Sequence, residues 1–84
     1  MEEDRIYQYQ VKLIRDKETG QVVAKIPALG IADYGADSRI AIQRLKKMAA
    51  FHLECLELEG EPIPDEKHTG EGLYLRVKAP VVAA

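Results

Sequence analysis

The residues best suited to binding a metal ion are two histidines and one cysteine, His52, His68 and Cys55. His52 and Cys55 are three residues apart, a spacing at which two side chains of one helix can share an ion. A structural zinc site requires four ligands, and the sequence has no second pair at a comparable spacing. We therefore expect no metal and no other cofactor, and interpret His52 and Cys55 as interior or interface residues.

Acidic and nucleophilic residues are the second group that could do chemistry. Asp33 is the acidic residue that a predicted strand could direct inward, but a two-metal hydrolase requires several converging carboxylates. Ser38 has no basic partner nearby in the sequence, and the G-x-S-x-G elbow is absent. Gly30 and Gly35 match neither glycine-rich phosphate fingerprint. We predict that the protein is not an enzyme, and keep a divergent metal-dependent nuclease that uses Asp33 as an alternative.

Composition restricts the classes of function further. The chain has 84 residues, of which 12 are basic and 14 acidic, giving a formal net charge of −2. Its longest basic run is Lys46-Lys47, so we expect no direct binding to nucleic acid, which depends on neutralising phosphates. The acidic N-terminal segment, the single cysteine and the lack of an apolar run of ~20 residues predict a soluble, cytoplasmic protein without a membrane span.

Four segments are predicted to be β-strands, three from the alternation of apolar and polar residues and the third in order, 31–34, because it is long enough for a short strand after a turn. They are 6–14, 21–26, 31–34 and 73–78. The residues predicted to share a buried face are Tyr7, Tyr9, Val11 and Leu13, then Val22, Ala24 and Ile26, then Leu73, Leu75 and Val77. Pro27 and Pro80 are predicted to end their strands, because proline has no N–H for the ladder.

One long amphipathic helix is predicted from Ser38 to about Leu58, between the third and fourth strands. Asp37 is a suitable N-cap and Gly60 a suitable C-terminal stop, whereas Gly35 is predicted to provide a positive φ before the helix. The predicted core stripe consists of Ala41, Ile42, Leu45, Met48, Ala49, His52, Leu53 and Leu56. The predicted polar side consists of Arg39, Gln43, Lys46, Lys47, Glu54 and Glu57.

The helix has more apolar residues than one sheet can cover. Ile40, Phe51 and Cys55 extend the apolar arc beyond the core stripe. Two explanations stay open, a contact with another subunit or partner and a helix that sinks deeper into its own core. Together with Glu54 and Glu57, these three residues are the candidate interface.

The element order predicts a single α+β domain over residues 1–84. Its expected architecture is β-β-β-α-β, an antiparallel sheet with one long helix packed on one face. A domain of this size buries only roughly 60–65% of its extended surface. A second subunit would therefore add useful buried area.

Four motifs follow one another in fixed order through most of the chain. They are I-P-A-L-G at 26–30, Y-G-A-D at 34–37, an amphipathic helix containing Ala41, and G-E-P-I-P at 60–64. In this order they resemble the HicB antitoxin family. The positions that match its pattern are Pro27, Leu29, Gly30, Gly35, Asp37, Ala41, Gly60, Pro62 and Pro64. Each position has a structural explanation, so the resemblance indicates a fold rather than a site.

The resemblance implies a truncated ribonuclease-H-like domain, dimeric or tetrameric, that neutralises a small, basic, RNA-cleaving toxin of the HicA type. The acidic residues Glu54, Glu57, Glu59 and Glu61 could face such a toxin and accelerate association. Full-length family members also carry a C-terminal segment that binds operator DNA, which these 84 residues do not include. The alternative is an orphan structural or regulatory module of the same fold with a different ligand.

Overall fold

The fold is a four-stranded antiparallel sheet with one helix packed against one face. The computed structural model describes residues 4–64, 66 and 72–80. The elements are β1 (Asp4–Arg15), β2 (Val22–Ile26), β3 (Ile31–Gly35), α1 (Ser38–Glu59) and β4 (Leu73–Pro80). The strands lie in the order β3-β2-β1-β4. The predicted α+β class and β-β-β-α-β order are confirmed.

β1 is long enough to pair with two different strands. Its residues Asp4–Val11 pair with β4, and its residues Lys12–Arg15 pair with β2. The sheet therefore consists of a β1–β4 ribbon at one end and a β1–β2–β3 meander at the other. The sequence pattern predicts the strands themselves but not which strands are neighbours.

The fourth strand extends further than predicted. Pro80, expected to end the strand from outside, is its last residue and lies opposite Asp4 in the register. β4 is an edge strand, so one side of its backbone has no neighbouring strand. A proline whose nitrogen lies on that side breaks no ladder hydrogen bond, because no N–H is needed there. The prediction of a strand ending at Lys78 was wrong by two residues.

The core lies between the sheet and α1. Its fully buried large side chains are Tyr9, Ile26, Leu45, Leu53 and Val77. Leu13 and Leu73 have the predicted facing but are each 42% exposed. The register places Leu73 opposite Val11, so Leu13 lies beyond the point where β4 begins and has no β4 residue beside it. The sequence therefore predicted the side of the sheet on which Leu13 and Leu73 lie, but not that both are exposed near this end of the sheet.

The buried stripe of α1 is narrower than predicted. The buried residues Ala41, Leu45, Ala49 and Leu53 recur every four residues. Such a row is inclined to the helix axis, so it moves around the helix as it ascends. Met48 falls outside the row and is 37% exposed, so its assignment to the core was wrong. The remaining predicted stripe residues, Ile42, His52 and Leu56, are half-buried.

Gly35 is needed for space rather than for its backbone angle. A positive φ is found at Gly20, Gly30, Gly60 and Gly72, and Gly35 is not among them. A Cβ built at Gly35 would lie 2.7 Å from the backbone nitrogen of Ala41 and 2.7 Å from Cγ2 of Ile40. The predicted positive φ was wrong, and the glycine instead lets β3 approach the first turn of α1.

The remaining motif positions form turns and caps. In the turn after β2, the N–H groups of Leu29 and Gly30 both donate to the carbonyl of Ile26, at 3.1 and 3.0 Å. Gly30 has a φ of +67°, and Leu29 is buried against the core. After the helix, the carbonyl of Pro64 accepts a hydrogen bond from the hydroxyl of Tyr9 at 2.7 Å.

Both predicted helix caps are confirmed. The Asp37 carboxylate accepts a hydrogen bond from the N–H of Ile40 at 2.9 Å. Gly60 adopts the left-handed conformation with a φ of 70°, and the N–H of Glu61 donates to the carbonyl of Leu56 at 2.9 Å. This arrangement satisfies carbonyl groups that the last turn would otherwise leave unpaired.

An Asp37→Ala variant is expected to lose about 1 kcal/mol of folding stability, because an N-terminal N–H of α1 loses its acceptor. Urea unfolding followed by circular dichroism measures the difference. Asp37→Ser is the control, since serine also caps helices well and should retain most of the stability. An alanine variant as stable as the wild type would contradict the capping role.

Candidate functional site

The residues considered for catalysis and metal binding do not converge. Asp33 is half-buried on β3, and its carboxylate accepts a hydrogen bond from the adjacent N–H of Tyr34 at 2.8 Å. His52 and Cys55 are half-buried on α1, and His68 is outside the described residues. In the described ranges, no group of three or more His, Cys, Asp or Glu residues is placed to hold a metal ion.

The outer side of α1 exposes large apolar side chains. Phe51 is 67% exposed and Leu58 is 65% exposed, whereas Ile40 and Cys55 are half-buried. The explanation that the helix sinks deeper into its own core is therefore wrong for Phe51. The alternative explanation, a contact with a subunit or partner, stays a prediction.

Ile40, Phe51 and Leu58, but not Cys55, belong to one row along the helix, which we name the outer seam. Its members are Ile40, Arg44, Lys47, Phe51, Glu54 and Leu58. The spacing alternates between four and three residues, so the members form a row along one side of the helix; three of them, Ile40, Phe51 and Leu58, are apolar, as the contact positions of packed helices are. The row Ala41–Leu53 faces the core on the opposite side. The candidate interface predicted from the sequence contains three of these members, Ile40, Phe51 and Glu54, and lacks Arg44, Lys47 and Leu58, which are recognised only once the core row is known.

The charges of α1 are separated along its length. Arg39, Arg44 and Lys47 lie in the first half, and Glu54, Glu57 and Glu59 in the second. The first turn has no acidic residue and the last turn no basic residue. This order opposes the helix dipole, which favours acidic residues at the N-terminus and basic residues at the C-terminus. Local conflicts of this kind concentrate at functional surfaces.

A groove adjoins the basic half of the outer seam. Its volume is about 560 Å³, and its lining residues are Ile40, Gln43, Arg44, Lys46 and Lys47. The guanidinium of Arg44 is anchored to β3 by a hydrogen bond that its Nη1 donates to the carbonyl of Tyr34 at 3.1 Å. The groove combines one apolar side chain with several cations, so it can receive an apolar or an acidic side chain.

A second exposed surface consists of the sheet residues whose side chains alternate with those of the core. α1 reaches one end of it, since Lys46 lines a pocket of about 350 Å³ together with Ile6, Arg76 and Lys78. Ile6, Ile14 and Tyr34 are exposed on this surface. The charged sheet residues on the same surface, and whose side chains the structure describes, are Lys12, Lys25, Arg76 and Lys78. All of them are basic. We name this surface the outer sheet face.

Within the residues that the structure describes, no helix is long and apolar enough to cross a membrane. Comparison of the chain with protein-family models, with curated proteins and with solved structures found no match in any of the three.

Proposed function

We propose that the protein is a non-catalytic, homo-oligomeric protein-binding module of the HicB type, which neutralises a small, basic, RNA-cleaving toxin of the HicA type in the cytoplasm. The observation that carries the homo-oligomeric, protein-binding part of the proposal is the outer side of α1, where Phe51 and Leu58 are exposed beside charged residues. Exposed aromatic and aliphatic anchors with a polar surround are typical of surfaces that bind other proteins.

The location of the motif residues supports the family part of the proposal. Asp37 and Gly60 cap α1, Gly30 provides the turn after β2, and Gly35 provides the close approach of β3 to the helix. The observed β-β-β-α-β architecture is the one that the resemblance implies. Since one fold hosts many functions, this support concerns the fold, and the binding role depends on the helix surface.

The acidic end of the helix is the region that we assign to the toxin. Glu54, Glu59 and Glu61 are exposed, and Glu57 is half-buried beside them. A patch of one charge sign attracts a partner of the opposite sign and raises its association rate. A basic toxin would therefore approach the C-terminal end of α1 in preference to its basic N-terminal half.

Purification of the tagged protein from its native cell tests this function. We expect a small basic protein to co-purify, and we expect its ribonuclease activity to appear only after the two proteins are separated. The mass of the eluted complex gives the stoichiometry. Recovery of the protein alone, under conditions that preserve other complexes, would contradict the antitoxin function and favour the orphan module.

The charge of the acidic end provides a sharper prediction. A Glu59→Lys, Glu61→Lys variant is expected to associate with the toxin about tenfold more slowly at low salt, because electrostatic steering is lost. Stopped-flow association rates at two salt concentrations measure the effect. The substitution at Glu59 places a cation at the C-terminal end of α1, where the helix dipole favours positive charge, so the fold should remain stable.

The matched control is Lys17→Glu and Lys25→Glu, which also reverses two exposed charges but lies in the β1–β2 loop and on β2. This control should retain or slightly raise the association rate. Equal rates for the wild type and the Glu59→Lys, Glu61→Lys variant at low salt would contradict the assignment of the toxin to the acidic end.

A further inference from the structure

The outer seam is a continuous row of apolar and charged side chains along one side of α1. In the part of the chain that the structure describes, no element covers it, since Arg44, Lys47, Phe51, Glu54 and Leu58 are all exposed. The remaining member, Ile40, is half-buried and lines the groove at the N-terminal half of the helix. A second helix lying along this row would bury its exposed apolar members, Phe51 and Leu58.

We propose that two copies of the protein dimerise by packing their outer seams together in antiparallel orientation, about a two-fold axis at the level of Ala49. This inference rests on the homo-oligomeric part of the proposed function and identifies the surface that is responsible. Two-fold symmetry is the commonest arrangement of homo-oligomers, and it places the same surface of both copies in contact.

The members of the seam match one another in this register. In an antiparallel pair, each residue faces the residue that is equally distant from the centre on the other helix. Ile40 then faces the second copy's Leu58, Arg44 faces the second copy's Glu54, and Lys47 faces the second copy's Phe51. These are an apolar pair, an ion pair and a cation beside an aromatic ring. Each pair occurs twice in the dimer, so every position of the seam has a suitable partner.

A parallel arrangement of the two helices does not pair each member of the seam with a suitable partner. It would place Arg44 beside Arg44, Lys47 beside Lys47 and Glu54 beside Glu54, and like charges in contact oppose association. The antiparallel dimer also explains the unfavourable order of charges along α1. The basic half of one helix lies against the acidic half of the other, so a charge order that opposes the helix dipole becomes favourable between copies.

The outer sheet face is a poorer surface for self-association. Its described charges, at Lys12, Lys25, Arg76 and Lys78, all have the same sign. Among the side chains that the structure describes, contact between two copies through this face would bring cations together with no acidic residue to compensate them. The complementarity of the described charges therefore favours the outer seam as the contact between copies.

The proposed dimer leaves part of the acidic end available. Glu54 enters the seam, whereas Glu57, Glu59 and Glu61 are not members of it. One helix can thus contact a second copy through its outer seam and a basic toxin through its C-terminal end. The two acidic ends lie at opposite ends of the antiparallel pair, which predicts two toxin sites for each dimer.

Charge exchange within the seam tests the orientation directly. Arg44→Glu and Glu54→Arg should each raise the dimer dissociation constant at least about tenfold, because each creates like-charge pairs in two layers. The double variant R44E/E54R restores opposite charges and should return the dissociation constant to near the wild-type value. Positions 44 and 54 are about 15 Å apart along one helix, so recovery has to act between copies.

Sedimentation equilibrium of the purified protein alone measures these constants, and circular dichroism monitors the fold of each variant. Arg44→Ala is the matched control, because it removes the hydrogen bond to the Tyr34 carbonyl without introducing like charges. It should weaken the dimer less than Arg44→Glu does. Phe51→Ala should also weaken the dimer, since it removes the largest exposed side chain of the seam.

Three results would overturn the inference, and they have different meanings. A monomeric wild type would exclude both this dimer and the homo-oligomeric part of the proposed function. A wild-type oligomer that neither single charge reversal weakens would exclude the outer seam and leave the protein-binding function intact. Single variants that dissociate without recovery in the double variant would exclude the antiparallel register.

Discussion

A Gly35→Ala variant is expected to lose about 2–3 kcal/mol of folding stability, because the added methyl group overlaps with the first turn of α1. The overlapping atoms are the backbone nitrogen of Ala41 at 2.7 Å and two side-chain carbons of Ile40 at 2.7 and 2.9 Å. A backbone nitrogen cannot move without the helix. The start of α1 would therefore have to move away from β3.

Gly30 provides the control for this prediction, since its backbone conformation, and not a lack of space, limits which residues can replace it. A Cβ at Gly30 would meet nothing within 4 Å, but its φ is +67°. Asparagine tolerates this conformation better than other non-glycine residues. Gly30→Asn should therefore cost little, whereas Gly35→Asn should cost at least as much as Gly35→Ala. Equal losses of unfolding free energy in urea for both asparagine variants would contradict the steric explanation.

A Leu45→Ala variant is expected to lose about 2–5 kcal/mol, the range for removing a fully buried leucine from a core. Leu45 is 0% exposed and belongs to the row with which α1 covers the sheet. The loss combines the transfer of the side chain with the cavity that it leaves. For a small domain of marginal stability, a loss in this range is a large fraction of the total.

Met48→Ala is the matched control, since it truncates a side chain of similar size three residues further along the same helix. Met48 is 37% exposed, so its removal leaves no closed cavity and should cost less than about 1 kcal/mol. Thermal and urea unfolding measure both variants. Similar losses for Leu45→Ala and Met48→Ala would show that the core stripe is as broad as the sequence predicts.

Most of the local structure was predictable because it depends on neighbouring residues. The alternation in β2 identified Val22, Ala24 and Ile26 as buried, and the structure buries all of them. The helix bounds followed from Asp37 and Gly60, whose capping roles require only the adjacent turn. These features are confirmed without reference to the rest of the fold.

The errors arose where distant elements decide the outcome. Leu13 is exposed because β4 begins beside Val11, which the pattern of β1 does not indicate. The need for a glycine at position 35 was explained by a positive φ, whereas the structure shows that the start of α1 leaves no room for a side chain there. Met48 was assigned to the core because the periodicity alone does not give the angle at which α1 crosses the sheet.

The sequence predicted the apolar residues of the candidate contact surface but not their exposure. The apolar surplus at Ile40 and Phe51 was visible in the sequence, but core burial and an interface explain such a surplus equally well. The exposure of Phe51 decides against core burial. Leu58 and Arg44 became recognisable as members of the same surface only after the core row had been assigned to the opposite side of α1.

The two-part pairing of β1 has a consequence for synthesis of the chain. Residues Asp4–Val11 are made before β4, which is their described ladder partner. The β1–β2 and β2–β3 hairpins can form early, since short loops join them. On the ribosome, β1 therefore has an incomplete ladder until β4 emerges. The part of the sheet formed by Asp4–Val11 can be completed only after about 60 further residues, including all of α1, have been synthesised.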